Sequence, residues 1–282
     1  MIDTLVTTEW LSKHINDPDL VLLDCSVVTM PDEERGFRNI SGRDDYDCGH
    51  LPNAGFADLM VDLSDTSKSF EFAVPTPEQF CSAMGALGVG DDSRVVLYDA
   101  NYTAWAARVW WMLRWVGFDN AAILDGGLGA WAAEKRPLST EPVSRPAKHL
   151  TPAPRPELIA DRNEVLASLD DDSVYLIDTM PEEFYRGEMT MYARPGHITG
   201  ASNINGLNLL DASGRFRSQD ELAALHKGDR KARVITYCGG GIMASSSAFV
   251  MTRLGFNNVA VYTASLQEWA ADPANPMAVG EA

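Results

Sequence analysis

Cysteine is scarce in this chain and widely dispersed. Only Cys25, Cys48, Cys81 and Cys238 occur in 282 residues, with no C-x-x-C pair and no Cys/His spacing of a zinc site. That pattern argues against a disulfide framework or a structural metal and suits free thiols in a reducing compartment. Basic residues are also few: 23 Lys and Arg stand against 40 Asp and Glu, for a formal net charge of −17 and a pI near 4.6. A field of that sign argues against nucleic acid or an anionic membrane as a partner. No apolar run approaches the ~20 residues of a membrane span. The N-terminal MIDTLVTTEW has neither the basic region nor the apolar core of a secretory signal. A cytoplasmic location is therefore expected. Nothing implies a metal, a nucleotide or an organic cofactor.

What is present is an ordinary globular composition, 45% hydrophobic and 22% charged. The length favours two domains over one. Along the chain, Thr8–Ile15 reads as a short helix capped by Thr7 or Thr8, and Leu20–Cys25 as a buried strand. Arg43–Gly49 reads as a polar exposed stretch. Thr76–Leu87 follows Pro75 as a helix, Arg94–Asp99 as a strand, and Ala104–Val116 as an apolar helix rich in tryptophan. Ala121–Leu124 is a further strand, followed by a helix around Trp131.

The pattern then begins again. LVLLD at Leu20–Asp24 returns as VYLID at Val174–Asp178, and GHLPNA at Gly49–Ala54 as GHITGA at Gly196–Ala201. VVLYD at Val95–Asp99 returns as VITYC at Val234–Cys238, and LRWVGFDNAAIL at Leu113–Leu124 as MTRLGFNNVAVY at Met251–Tyr262. The order of landmarks is kept, as a tandem duplication of one β/α unit requires. Between the copies, Arg136–Pro156 carries six prolines and reads as a stiff extended linker. The expected organisation is a domain over residues 1–138, a linker over 139–156 and a second domain over 157–282. Alternating strands and helices predict a mainly parallel sheet flanked by helices in each, with ligands at the carboxyl ends of the strands.

One stretch carries chemistry. In VITYCGGGIMAS (Val234–Ser245), Cys238 ends a strand and is followed by three glycines and the start of a helix. Successive loop N–H groups and the positive end of a helix dipole favour an anion at the thiol, which suits a thiolate nucleophile. From this window alone an inert packing cysteine is an equal alternative. The repeat supplies a control, since the first copy has Asp99 where the second has Cys238. Only the C-terminal half is a catalytic candidate.

These residues together resemble the tandem-domain rhodanese family, the thiosulfate and 3-mercaptopyruvate sulfurtransferases. The resemblance spans nearly the whole chain, through GHLPNA, the YDA turn, ARVWWMLRWVGF and LDGGLGAW in the first half. In the second half it is carried by LIDT, RPGHITGASNI, ITYCGGGI and SLQEW. It implies two rhodanese-like α/β domains, the second catalytic, and a double-displacement transfer of sulfane sulfur. Cys238 would take the outer sulfur of a small anionic donor and pass it to cyanide, a small thiol or a protein thiol. The loop Gly239, Gly240, Gly241, Ile242 and Met243 would surround the persulfide, and Arg186 and Arg194 would hold the donor's anionic end. The chain departs from the family where C-G-S-G-V-T or C-R-K-G-V-T is usual. Gly240 and Met243 replace hydroxyl residues, no basic residue lies in the loop, Met180 stands where an arginine is often found, and YTAS replaces Y-D-G-S. The uncharged loop leans towards mercaptopyruvate.

Other conspicuous residues have plainer assignments. His50 and His197 occupy matched GH positions, one in a half without a nucleophile, which favours loop anchoring over proton relay. Trp105, Trp110, Trp111 and Trp115 at helical spacing are expected to pack. Ser245, Ser246 and Ser247 start a helix and are expected to bond backbone. A cysteine phosphatase or arsenate reductase, with its Cys-x5-Arg loop, does not fit, because no arginine follows Cys238. A persulfide carrier or scaffold that does not turn over is the remaining alternative.

Overall fold

The computed structural model describes residues 2–32 and 36–281. It divides into two compact units, and each contains a piece of the other half's sequence. Unit 1 comprises Met1–Ser67, Val74–Arg155 and Leu210–Phe216, and unit 2 comprises Lys68–Ala73, Pro156–Leu209 and Arg217–Ala282.

Unit 1 is built on five parallel strands in the spatial order Leu5–Val6, Ala121–Leu124, Arg94–Tyr98, Leu20–Asp24, Ala54–Phe56. Leu20–Asp24 is buried at every position, as a strand covered on both faces must be. Each aliphatic side chain so enclosed contributes about 1.5–3 kcal/mol relative to exposure. The helices are signalled locally. Pro77–Ala86 begins with a capping box of Thr76 and Gln79, with Pro77 in its first turn. Thr7 caps Thr8–His14 by accepting from the Trp10 N–H. In Ala104–Trp115 every residue except Arg114 is buried, and Trp110 Nε1 donates to the Ala121 carbonyl at 3.0 Å. The tryptophans therefore pack, as their spacing predicts.

Unit 2 repeats the arrangement. Its parallel strands run Ile159–Ala160, Val259–Tyr262, Arg233–Tyr237, Val174–Asp178, Ser202–Asn203, which is the same order in the second copy of the repeat. Even the buried polar groups recur. The Leu51 N–H donates to Tyr98 Oη in one unit and the Ile198 N–H to Tyr237 Oη in the other, at 3.2 and 3.0 Å. Asp24 Oδ1 accepts from the Ser26 N–H and Asp178 Oδ1 from the Met180 N–H, at 2.8 and 2.7 Å.

Three features differ from expectation. Val27–Asp32 and Gly36–Ser41 pair as an antiparallel hairpin, and Arg43–Cys48 is a short helix that buries Tyr46 rather than a wholly exposed stretch. The proline-rich segment lies against unit 1. Lys148 and Ala153 donate backbone N–H groups to Gly85 and Val116 carbonyls at 3.0 and 2.9 Å, and Arg155 grips Asp119 through two 2.6 Å bonds. Gly85 and Gly117 admit it, since a Cβ at either would come within 2.6 Å of a segment carbonyl. Proline removes the segment's own ladder donors but leaves its carbonyls and intervening N–H groups free to dock. Finally, Leu210–Phe216 belongs to unit 1, where the Phe216 N–H donates to Asp125 Oδ1 at 2.9 Å and Arg215 bonds Glu134 at 2.8 Å.

Among the described residues, no helix is long and apolar enough to cross a membrane.

Candidate active site

The Arg233–Tyr237 strand runs into Cys238, and the Ile242–Arg253 helix starts four residues beyond the thiol. Gly241 is the helix N-cap with φ of +80°, a left-handed conformation that favours glycine, and no side chain caps the helix there. The Cys238 residue is buried. Its own N–H donates to Ser265 Oγ at 3.1 Å, and Ser265 Oγ donates to the Tyr262 carbonyl at 2.6 Å. Leu266 and Gln267 return N–H bonds to the Cys238 and Gly239 carbonyls at 3.1 and 3.0 Å. The loop is thus held through its carbonyls. The N–H groups of Gly239, Gly240, Gly241, Ile242, Met243 and Ala244 have no acceptor among the described residues. They form an amide cradle beside a thiol, a favourable setting for a sulfur anion.

Unit 1 demonstrates what such a cradle holds. At the equivalent strand end, Asp99 turns its carboxylate back into its own loop. Oδ1 accepts from the Asn101 and Thr103 N–H groups at 2.9 and 3.0 Å, and Oδ2 from Ala106 at 2.9 Å. A carboxyl group supplied by the chain fills that loop, so no nucleophile is available there. Burial pushes the Asp99 carboxyl up to about 7, against the pull of those three N–H donors. Asp178 is likewise pushed up to about 7 by burial.

Both groups hold a proton in the folded chain over a range where the unfolded chain has lost it. Their stabilisation is complete below about pH 4 and is lost as the pH rises through about 7. Urea unfolding should therefore show stability falling between pH 5 and pH 7, by at most about 1.4 kcal/mol per pH unit for each group. Asp178→Asn should flatten the slope, and an unchanged slope would show that Asp178 titrates normally.

Three side chains that the sequence did not single out close in on the Cys238 loop. A Cβ at Gly239 would collide with the Tyr192 hydroxyl, and one at Gly240 with the Gln267 amide, with Phe72 at 3.9 Å. Gln267 is itself fixed by accepting the Glu71 N–H at 2.9 Å. Two of the three glycines thus exist to let these groups approach. Gln267 lay within SLQEW and Tyr192 within an irregular loop, so only their distant partners reveal them. Met243 points its side chain at Gly206 and offers the site its N–H alone.

The arginines are placed differently from expectation. Arg194 donates Nε to the Ala270 carbonyl and Nη1 to Asn275 at 3.0 Å each, and Nη2 to Trp269 and Asp272 at 3.1 and 2.7 Å. A guanidinium wrapped in four carbonyls tethers the C-terminal segment and has little left for a donor. Arg186 bonds Glu182 at 2.8 Å, with Glu188 and Glu281 at 3.9 and 4.0 Å. Arg194→Met should cost about 2–4 kcal/mol by leaving buried carbonyls unpaired, read by urea unfolding, with KM for the sulfur donor unchanged. A raised KM at unchanged stability would restore it as a donor ligand.

His50 and His197 anchor loops. Each Nδ1 contacts a backbone carbonyl, Tyr46 at 2.8 Å and Tyr185 at 2.7 Å, and each ring stacks on the same tyrosine. Ser245 Oγ donates to the Gly241 carbonyl at 2.7 Å, and Ser247 contacts His226. Burial pushes the Cys81 thiol up to about 11 and Cys25 well above the ordinary range, so neither offers a thiolate.

Known proteins agree with this architecture. The Rhodanese-like domain matches twice, over residues 7–134 and 161–272. The 3-mercaptopyruvate sulfurtransferase of Escherichia coli K12 is 31% identical over 272 residues, covering 94% of each chain. The sulfur carrier protein TtuD of Thermus thermophilus is 31% identical over 295 residues, covering 99% of this chain and 98% of its own. The crystal structure of SseA from Escherichia coli, described as a 3-mercaptopyruvate sulfotransferase of rhodanese fold, superposes with a TM-score of 0.82 at 30% identity, over 94% of this chain and 99% of that one. A duplicated sheet, a loop cysteine in the second copy only, and full-length likeness to these enzymes lead to one assignment: the chain belongs to the rhodanese family and is a sulfurtransferase.

Proposed function

We propose that this sulfurtransferase moves a sulfane sulfur from 3-mercaptopyruvate or thiosulfate to a thiophilic acceptor, through a persulfide on Cys238. The observation that carries this is the open amide cradle around the Cys238 thiol, set beside its counterpart in unit 1, which holds the Asp99 carboxylate. With thiosulfate, the Cys238 thiolate attacks the outer sulfur, the S–S bond breaks, and sulfite leaves with the bonding pair. With 3-mercaptopyruvate, the C–S bond breaks and the former thiol proton ends on the methyl carbon of pyruvate. Either way the enzyme carries Cys–S–S⁻, whose terminal charge the N–H groups of Gly239 to Ala244 stabilise. Cyanide, a small thiol or a protein thiol then takes the outer sulfur and restores the thiolate, a ping-pong cycle. Cys238 is oxidised to the persulfide as the donor's S–S or C–S bond is reduced, and it returns to the thiolate when the acceptor takes the sulfur, so the cycle needs no further oxidant or reductant.

The test is an intact-mass measurement after incubation with each donor, followed by addition of cyanide. Cys238 should gain one sulfur and release it as thiocyanate. Sulfur on a different cysteine would overturn the proposal. A Cys238 persulfide that forms but resists cyanide and small thiols would instead make the chain a carrier, as its relative TtuD is named.

A further inference from the structure

The groups around the catalytic loop are those that would select the sulfur donor. The two arginines expected to hold an anionic donor are engaged elsewhere, Arg194 by four carbonyls and Arg186 by glutamates. In their place the Tyr192 hydroxyl rests against Gly239, next to the nucleophile. It has no hydrogen-bond partner among the described residues, whereas the Tyr192 backbone carbonyl accepts from Thr190 Oγ1 at 3.1 Å. Burial, together with the Cys238 thiol, Asp178 and Glu71, keeps the hydroxyl protonated, so it is a donor at any working pH. Those three neighbours are acidic, and none is a cation.

A phenol with an uncommitted proton beside a nucleophilic sulfur, among acidic groups, discriminates between donors. Thiosulfate brings two charges close to its transferable sulfur, beside a hydroxyl whose interacting neighbours among the described residues are acidic. An α-keto thiol brings one charge, remote from its sulfur, and carbonyl and carboxylate oxygens able to accept from a phenol. We propose that Tyr192 is the specificity-determining residue of this site, donating its hydroxyl hydrogen bond to an oxygen of an α-keto thiol and so favouring 3-mercaptopyruvate over thiosulfate. This rests on Cys238 being the sulfur-accepting residue. Gln267, held by the Glu71 N–H, closes the opposite side of the loop over Gly240 and leaves Tyr192 as the polar contact on the Gly239 side. Removing one such hydrogen bond to a charged or strongly polarised acceptor lowers transfer about 10- to 100-fold.

Thiocyanate formation from cyanide should be measured with 3-mercaptopyruvate and with thiosulfate, for wild type and Tyr192→Phe. Cys238 loading from inorganic polysulfide, which has no oxygen to recognise, provides the reference. Wild type should favour 3-mercaptopyruvate in kcat/KM by at least about tenfold. Tyr192→Phe should lose about 10- to 100-fold with 3-mercaptopyruvate and little with thiosulfate or polysulfide, at an unchanged thermal midpoint. A structural role would lower all three together. Equal losses with both donors, or a wild-type preference for thiosulfate, would overturn the proposal about Tyr192 while leaving the Cys238 persulfide standing. Failure of Cys238 to take sulfur from any of the three donors would overturn the persulfide mechanism itself. The wild-type donor ratio is informative even if the variant does not fold.

Discussion

Cys238→Ser is expected to lower kcat/KM by at least about 10³-fold with 3-mercaptopyruvate and with thiosulfate alike, measured as thiocyanate formed from cyanide. Serine fits the site: the residue is buried and its N–H bond to Ser265 Oγ comes from the backbone. What is lost is chemistry. An alcohol oxygen does not ionise near neutral pH, even in an amide cradle, and it cannot form the stable S–S bond that stores the sulfur between the two half-reactions. The remaining cysteines cannot substitute, because Cys25 and Cys81 are buried thiols held protonated and Cys48 lies at the end of the Arg43–Cys48 helix in the other unit. Residual activity near wild type would mean that sulfur moves directly from donor to acceptor in a ternary complex. Steady-state patterns would then intersect instead of running parallel.

Asp99→Ala should have the largest effect on stability, a loss of about 3–5 kcal/mol for unit 1 at pH 8, where the carboxyl is ionised. The carboxylate satisfies the Asn101, Thr103 and Ala106 N–H groups, and alanine leaves all three without an acceptor in a loop where Tyr102 and Thr103 already have φ of 67° and 59°. Left-handed backbone at non-glycine residues persists only where surrounding bonds demand it. Asp99→Asn keeps an acceptor for Asn101 and Thr103 but turns an NH2 group towards Ala106, and should lose about 1–2 kcal/mol. Urea unfolding followed by tryptophan fluorescence reports on this directly, since unit 1 contains Trp105, Trp110, Trp111 and Trp115. If Asp99→Ala were as stable as wild type, the loop would be held by its other contacts and would lose its value as a model for the Cys238 cradle. Sulfur transfer by the folded Asp99→Asn protein should be unchanged, because the reacting loop belongs to unit 2.

Much of this was legible in the residues themselves. LVLLD, VVLYD and AAIL became three adjacent parallel strands, and VYLID, VITYC and VAVY their counterparts, because continuous apolar runs of four or five residues suit strands buried on both faces. The helix following Pro75 was legible from Thr76 onward, and Cys238 followed by three glycines announced the cradle. The hairpin Val27–Asp32 with Gly36–Ser41 was not legible, since its strands alternate weakly and include Pro31. Nor was the short helix Arg43–Cys48, whose one buried anchor, Tyr46, gives no periodicity to read.

The sequence by itself determined the duplication, the mainly parallel sheet of each copy and the presence of a loop cysteine in the second copy only, because these depend on local propensity and on comparing one half with the other. Tertiary structure alone decided which polar groups meet. Arg194 could have faced a ligand or a carbonyl, and four carbonyls of the segment from Trp269 to Asn275 claim it. Tyr192 lies in a loop with no pattern, yet packs on Gly239, and Lys68–Ala73 and Leu210–Phe216 each join the unit built mainly from the other half of the chain. A hydrogen bond requires both partners within about 3 Å, and partners 75 or 196 residues apart are brought to that distance by the packed sheet, not by anything written in either neighbourhood.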